Sequence, residues 1–216
     1  SYLSYLLKRY VFHESGTLVS GIIGGLYSST ATISVLARKS RKASEQEATD
    51  YVAAMLLAVS MMFLRFMILI LIFSREIFLS IYPYLLTMAV VAAIVAWFIH
   101  SRQKRPEDQP AETEEDDSSN PLEFKVALIF AVLFVIFTFL THYTLVYAGT
   151  GGLNLLSFVS GFSDITPFIL NLLQNTGSVA ALIITACSMQ AIISNIMVNM
   201  FYALFFAGKG SKLRPW

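Results

Sequence analysis

Charge is what this chain has least of. Only 13% of its 216 residues are Asp, Glu, Lys or Arg, about half the share of an average soluble protein, while 56% are hydrophobic and the mean hydropathy is +0.66. Too little polar surface exists to coat a water-soluble globule, so the solvent this sequence expects is lipid. Cysteine is nearly absent as well. Cys187 stands alone in an apolar run, which excludes an internal disulfide and a thiolate metal cluster and leaves the role of a small buried apolar residue. The net charge is +1 and no basic stripe interleaves with aromatics, so nucleic acid finds no electrostatic footprint. His13, His100 and His142 have neither metal-ligand nor triad spacing, and "GFSD" (161–164) lacks the closing glycine of a nucleophile elbow. No enzymatic activity and no cofactor is expected.

What is present in quantity is long apolar runs. A bilayer core about 30 Å thick takes about 20 residues at 1.5 Å each. Six runs reach that length: Thr17–Ala37, Val52–Phe73, Ser80–Ile99, Val126–Tyr147, Leu153–Leu173 and Val179–Ala207. "SYLSYLLKRYVF" (1–12) reads as the tail of a seventh, with no charged region or cleavage site that would make it a signal peptide. The expected fold is an all-α polytopic membrane helix bundle of six to seven segments. It comprises a first membrane half (1–100), an acidic linker (101–121) and a second membrane half (122–216). The linker holds seven of the fourteen acids and three of the six prolines, a composition that cannot bury a core.

The halves resemble one another. Residues 16–33 align without gaps on 152–169 at Gly16/Gly152, Gly25/Gly161, Thr30/Thr166 and Ile33/Ile169, which sets Ser28 opposite Asp164. Farther on, "AVSM" (58–61) meets "ACSM" (186–189), a match that needs an eight-residue shift. The expectation is an internal three-element repeat.

If every run crosses, Lys and Arg divide eight to six between the two faces. If the first and fifth runs instead enter and leave on one side, the division becomes thirteen to one. Both runs carry glycines and hydroxyls at their midpoints, which suits a re-entrant hairpin and equally a spanning helix broken at its centre.

Asp164 in "SGFSDITPF" (160–168) is the sharpest chemical signal. A central Asp costs about 2.5–3.5 kcal/mol on insertion scales, so it is expected to face the bundle interior with a partner. Pro167 is expected to free a carbonyl near that carboxylate. With Ser163 and Thr166 these oxygens suit Na⁺, K⁺, Mg²⁺ or a proton; the bland alternative is an Asp that caps a helix. The first run offers Ser28, Ser29, Thr30 and Thr32 behind Gly24 and Gly25, either as uncharged ligand oxygens or as a close-packing face. In the last run Thr185, Ser188, Asn195 and Asn199 share one helical face, which lines a path or bonds neighbouring helices. Arg65, deep in the second run, is the candidate counter-charge for Asp164, or a residue that snorkels and contacts carbonyls. Gly24, Gly25, Gly161 and Pro167 are the expected backbone breaks.

"GGLYSSTATISVLAR" (24–38), "NPLEFKVALIF" (120–130), "SGFSDITPFIL" (160–170) and "SNIMVNMFYALF" (194–205) resemble, in order, the motifs of an uncharacterised membrane domain that follows MgtC/SapB-type domains in many prokaryotic proteins. The resemblance implies a multi-pass inner-membrane protein of unassigned activity, with an MgtC-type domain upstream and a hint of magnesium or general cation homeostasis. Two functions are carried forward. One is a transporter or channel for a small inorganic cation, with its site at the interrupted segments. The other is a non-transporting membrane module that binds a partner. Both are compatible with a homo-oligomer.

Overall fold

The computed structural model describes residues 16–41, 43–101, 121–175 and 179–206. The opening stub, the acidic linker from 102 to 120 and the C-terminal basic residues lie outside the described residues. Among those described there are six helices and no strand: α1 (Thr17–Ser40), α2 (Glu45–Phe73), α3 (Arg75–Ser101), α4 (Pro121–Ser160), α5 (Ile165–Gln174) and α6 (Ala181–Phe206). Five stretches are long and apolar enough to cross a membrane: Thr17–Ser40, Glu47–Phe73, Arg75–Ser101, Ala131–Gly149 and Ala181–Phe206. The chain is a multi-pass membrane protein.

Local chemistry sets the boundaries. Ser44 and Glu47 form a capping box at the start of α2: the Ser44 hydroxyl accepts from the Glu47 N–H at 3.4 Å, and the Glu47 carboxylate accepts from the Ser44 N–H at 2.8 Å. Ser74, the single residue between α2 and α3, accepts from the Ile77 N–H at 3.4 Å and so caps α3. α4 is interrupted at Gly149, whose φ of 58° and ψ of −148° suit only glycine. The fifth run, read as one segment from Leu153 to Leu173, is two short apolar helices, Gly151–Ser160 and Ile165–Gln174, separated by residues 161–164.

The chain divides into two compact units. The first contains α1, most of α2 and α3, and the end of α6. Its core is Ile33, Leu36, Ala37, Ala54, Met55 and Ala58, flanked by Leu18, Tyr51, Val52, Val59, Ala203 and Phe206. Ser60 donates to the Ala89 carbonyl at 2.9 Å, and His100 meets Asp50 at 2.9 Å, so α2 and α3 are tied at two levels. The second unit contains α4, α5 and most of α6. Ile165, Phe168, Ile169 and Leu172 are buried along α5, and Phe168 meets Phe137 of α4 at 5.6 Å between ring centres.

Candidate functional site

Within α1, Ser28 alone leaves helical geometry, at φ −156° and ψ 106°. In a straight helix, positions 24 and 32 would lie about 12 Å apart along the axis. Here a side chain on Gly24 would strike Thr32, coming within 2.8 Å of its methyl carbon. Gly21 and Gly25 press on Ala54 and Ala58, while Ile33, Leu36 and Ala37, beyond the break, share a core with the same two alanines. Positions 21 and 37 of a straight helix are about 24 Å apart, whereas Ala54 and Ala58 span about 6 Å. The chain therefore doubles back at Ser28, and both arms lie against one turn of α2. Gly25 is what permits this approach, since an added Cβ would sit 2.5 Å from the Ala58 Cα.

The tip is closed by hydrogen bonds. Ser28 Oγ accepts from the Ala31 N–H at 3.4 Å, and the Ser28 carbonyl accepts from the Thr32 hydroxyl at 2.8 Å. The Thr30 carbonyl accepts from Ser34 at 2.8 Å, and Ser29 is buried. The Tyr27 carbonyl, last of the first arm, accepts from Arg65 Nη1 at 2.8 Å. Arg65 thus makes the carbonyl contact weighed for it in the sequence.

The second hairpin, 151–174, turns at Gly161, Phe162, Ser163 and Asp164. Asp164 does not face the interior as expected: it is extended (φ −75°, ψ 113°), is exposed, and takes the bland role of capping α5 by accepting from the Thr166 N–H at 2.9 Å. Ser163, also exposed, donates to the Ser160 carbonyl at 3.1 Å. The first arm is joined to α6 along its length: Cys187 to Asn154 at 3.4 Å, Ser157 to Gln190 at 3.1 Å, and Ser194 to the Phe158 carbonyl at 2.7 Å. At the tip, Asn195 Nδ2 donates to the Gly161 carbonyl at 3.1 Å and reaches the Ser163 carbonyl at 3.5 Å. Gly161 has no room for a side chain, because a Cβ would collide with Ser194 and lie 2.8 Å from the Asn195 backbone nitrogen.

Both hairpins follow one register. Gly21, Gly25, Ser28, Ala54 and Ala58 lie 136 residues before Ser157, Gly161, Asp164, Gln190 and Ser194. Gly21 packs on Ala54 where Ser157 bonds Gln190, and Gly25 packs on Ala58 where Gly161 packs on Ser194. Ser28 and Asp164 each cap the second arm from an extended backbone, and α2 and α6 begin at Glu45 and Ala181, again 136 apart. The register continues without a gap, so the match of "AVSM" to "ACSM" is misleading: the counterpart of Ala58 is Ser194, not Ala186.

The model of a family described as a domain of unknown function, DUF4010, matches residues 1–207. The chain belongs to this family. A protein of Aquifex aeolicus (strain VF5) with the printed name "Uncharacterized protein" is 24% identical over 208 residues, covering 94% of this chain and 87% of its own length. No solved structure matches. The hairpins with their caps and close-approach glycines therefore lie within the stretch that defines the family.

Several expected sites change their meaning. Gly24 and Gly25 are helical and serve close packing, while the break itself falls at Ser28. Pro167 is the third residue of α5, in the first turn, where its missing N–H would have had no intrahelical partner. It frees no carbonyl. Asn195 and Asn199 are both buried on α6, and Asn195 grips the tip of the second hairpin. Asn154, Ser157, Gln190 and Ser194 were not singled out from the sequence; their spacing of three to four in apolar helices was the available signal.

Proposed function

We propose that the protein is a membrane transporter or channel for a small inorganic cation and that its two hairpins are re-entrant. Arms of 10–12 residues measure about 15–18 Å, half of a hydrocarbon core about 30 Å thick, so a hairpin rooted at the surface carries its tip near the midplane. With α2, α3, α4 and α6 as the crossing helices, Lys and Arg divide thirteen to one. By this count the first hairpin opens to the basic face and the second to the other. The exposed Tyr143 and Tyr147, near the end of the spanning stretch Ala131–Gly149 of α4, suit headgroup level.

The observation that carries the cation reading is an exposed carboxylate at the turn of a hairpin with half-bilayer arms. Asp164 neutralises the ion, and hydroxyls replace its water. Thr32 and Ser163 spend their protons on the Ser28 and Ser160 carbonyls, which leaves oxygen lone pairs for a cation. Beside Asp164, Thr166 supplies a further oxygen and Asn195 lines the path, while the first tip offers the uncharged oxygens of Ser28, Ser29 and Thr30 by itself. Among the described residues no three His, Cys, Asp or Glu gather as a metal cage, so the ion keeps part of its water or is monovalent.

The test is ion-replacement flux in proteoliposomes with Asp164→Asn. Asn caps a helix about as well as Asp, so the variant removes charge and keeps the fold. Loss of flux is expected, and flux at the normal rate rejects the assignment. A second reading, a membrane module that binds a partner such as an MgtC-type domain, draws on the Arg65 contact with Tyr27, which is structural rather than ionic. It gains the field if the wild type passes none of Na⁺, K⁺, Mg²⁺ or H⁺.

A further inference from the structure

The shared register exposes a difference between the two tips. In the second hairpin the carbonyls of Phe158, Gly161 and Ser163 are held by Ser194 and Asn195, short side chains that are both buried. The residues 136 positions earlier are Ala58 and Val59, which have no side-chain donor. The carbonyl equivalent to Ser163 O is that of Tyr27, and its donor comes from farther along α2, at the end of the long side chain of Arg65. Tyr27 and its counterpart Ser163 are both exposed, so the tips differ in their donors: Ser194 and Asn195 are buried, whereas Arg65 is only half-buried.

The geometry points to Arg65 as the positioning residue that closes the first hairpin, and to this tip, not the second, as the one that opens. Arg65 is half-buried, and its long stem loses more rotamer freedom when fixed than serine or asparagine does and lets the charged head swing to water, so its grip is released more readily. The second tip is clasped by buried groups, and breaking such a bond costs the desolvation of the carbonyl left behind. The assignment concerns how the tips are held and stands whichever ion, if any, crosses the membrane.

Hydrogen exchange on the full chain in lipid nanodiscs tests it, read at amides 27–31 and at 163–166 and 168. In the wild type the first tip is expected to exchange at least about tenfold faster than the second, from local opening. Arg65→Met should speed the first tip by about a further tenfold and leave the second unchanged, whereas Arg65→Lys, which keeps a charged donor, should stay within about threefold of wild type. Val59→Asn places at the first tip the donor that Asn195 supplies at the second. It should slow exchange of amides 27–31 both in the wild-type chain and in Arg65→Met. Equal protection of the two tips in the wild type overturns the proposal, as does an Arg65→Met first tip that exchanges at the wild-type rate. If Arg65→Met does not fold, Val59→Asn alone decides: a slower first tip supports the assignment, and an unchanged one overturns it.

Discussion

Replacing Gly161 with alanine isolates the closest approach in the second hairpin. The new Cβ would overlap Ser194 and lie 2.8 Å from the Asn195 backbone nitrogen. Restoring an ordinary contact of about 3.5 Å requires α6 to withdraw by at least about 0.7 Å, because Ser194 lies nearer still. That shift stretches the Asn195 bond to the Gly161 carbonyl from 3.1 Å to about 3.8 Å, beyond a hydrogen bond. Overpacking costs about 1–3 kcal/mol, and leaving a buried donor and acceptor unsatisfied adds about 1–3 kcal/mol, for a total of about 2–6 kcal/mol. Thermal unfolding in detergent should fall by about 4–24 °C, at roughly 2–4 °C per kcal/mol for a chain of this size. Gly151→Ala is the control, since nothing lies within 4 Å of the position, and should stay within about 1 °C. Adding Ser194→Gly should recover part of the loss, a coupling expected only of residues in contact. If Gly161→Ala unfolds with the control, the tip does not press on α6 and the register argument fails.

Other substitutions probe separate links. Gly149→Ala forces an L side chain into a conformation with φ 58° and should cost about 1–3 kcal/mol by the same melt, despite open space around the position. Ser44→Ala removes the hydroxyl half of the capping box and should destabilise by about 0.5–2 kcal/mol, with faster amide exchange confined to the first turn of α2. Asp164→Asn should abolish cation flux while leaving the melting temperature within about 2 °C, because the cap survives.

Much of the helical framework was legible because lipid leaves composition few choices. The apolar runs became helices, and the hydroxyls near position 28 marked a real interruption. The common register of the two interruptions was legible through Gly25, Gly161, Ser28 and Asp164, whose residue types answer to close approach and capping. "AVSM" misled for the opposite reason: small apolar residues recur in any membrane helix, and identity there carries no packing information. The partners of Arg65 and Asn195 were hidden because both grip backbone carbonyls, and a carbonyl acceptor leaves no mark on residue type. Pro167 was misread because proline breaks a helix in its interior and begins one in its first turn, and only the position of the preceding turn at 161–164 distinguishes the two.

The claim beneath the whole account is that each interrupted segment returns to the side it came from. Single cysteines at Gly16, Ala43, Gly151 and Val179, in a Cys187→Ser background, can be labelled with an impermeant maleimide in sealed vesicles of known orientation. Positions 16 and 43 are expected to react from one side and 151 and 179 from the other. Reaction of 16 and 43 from opposite sides would contradict the account.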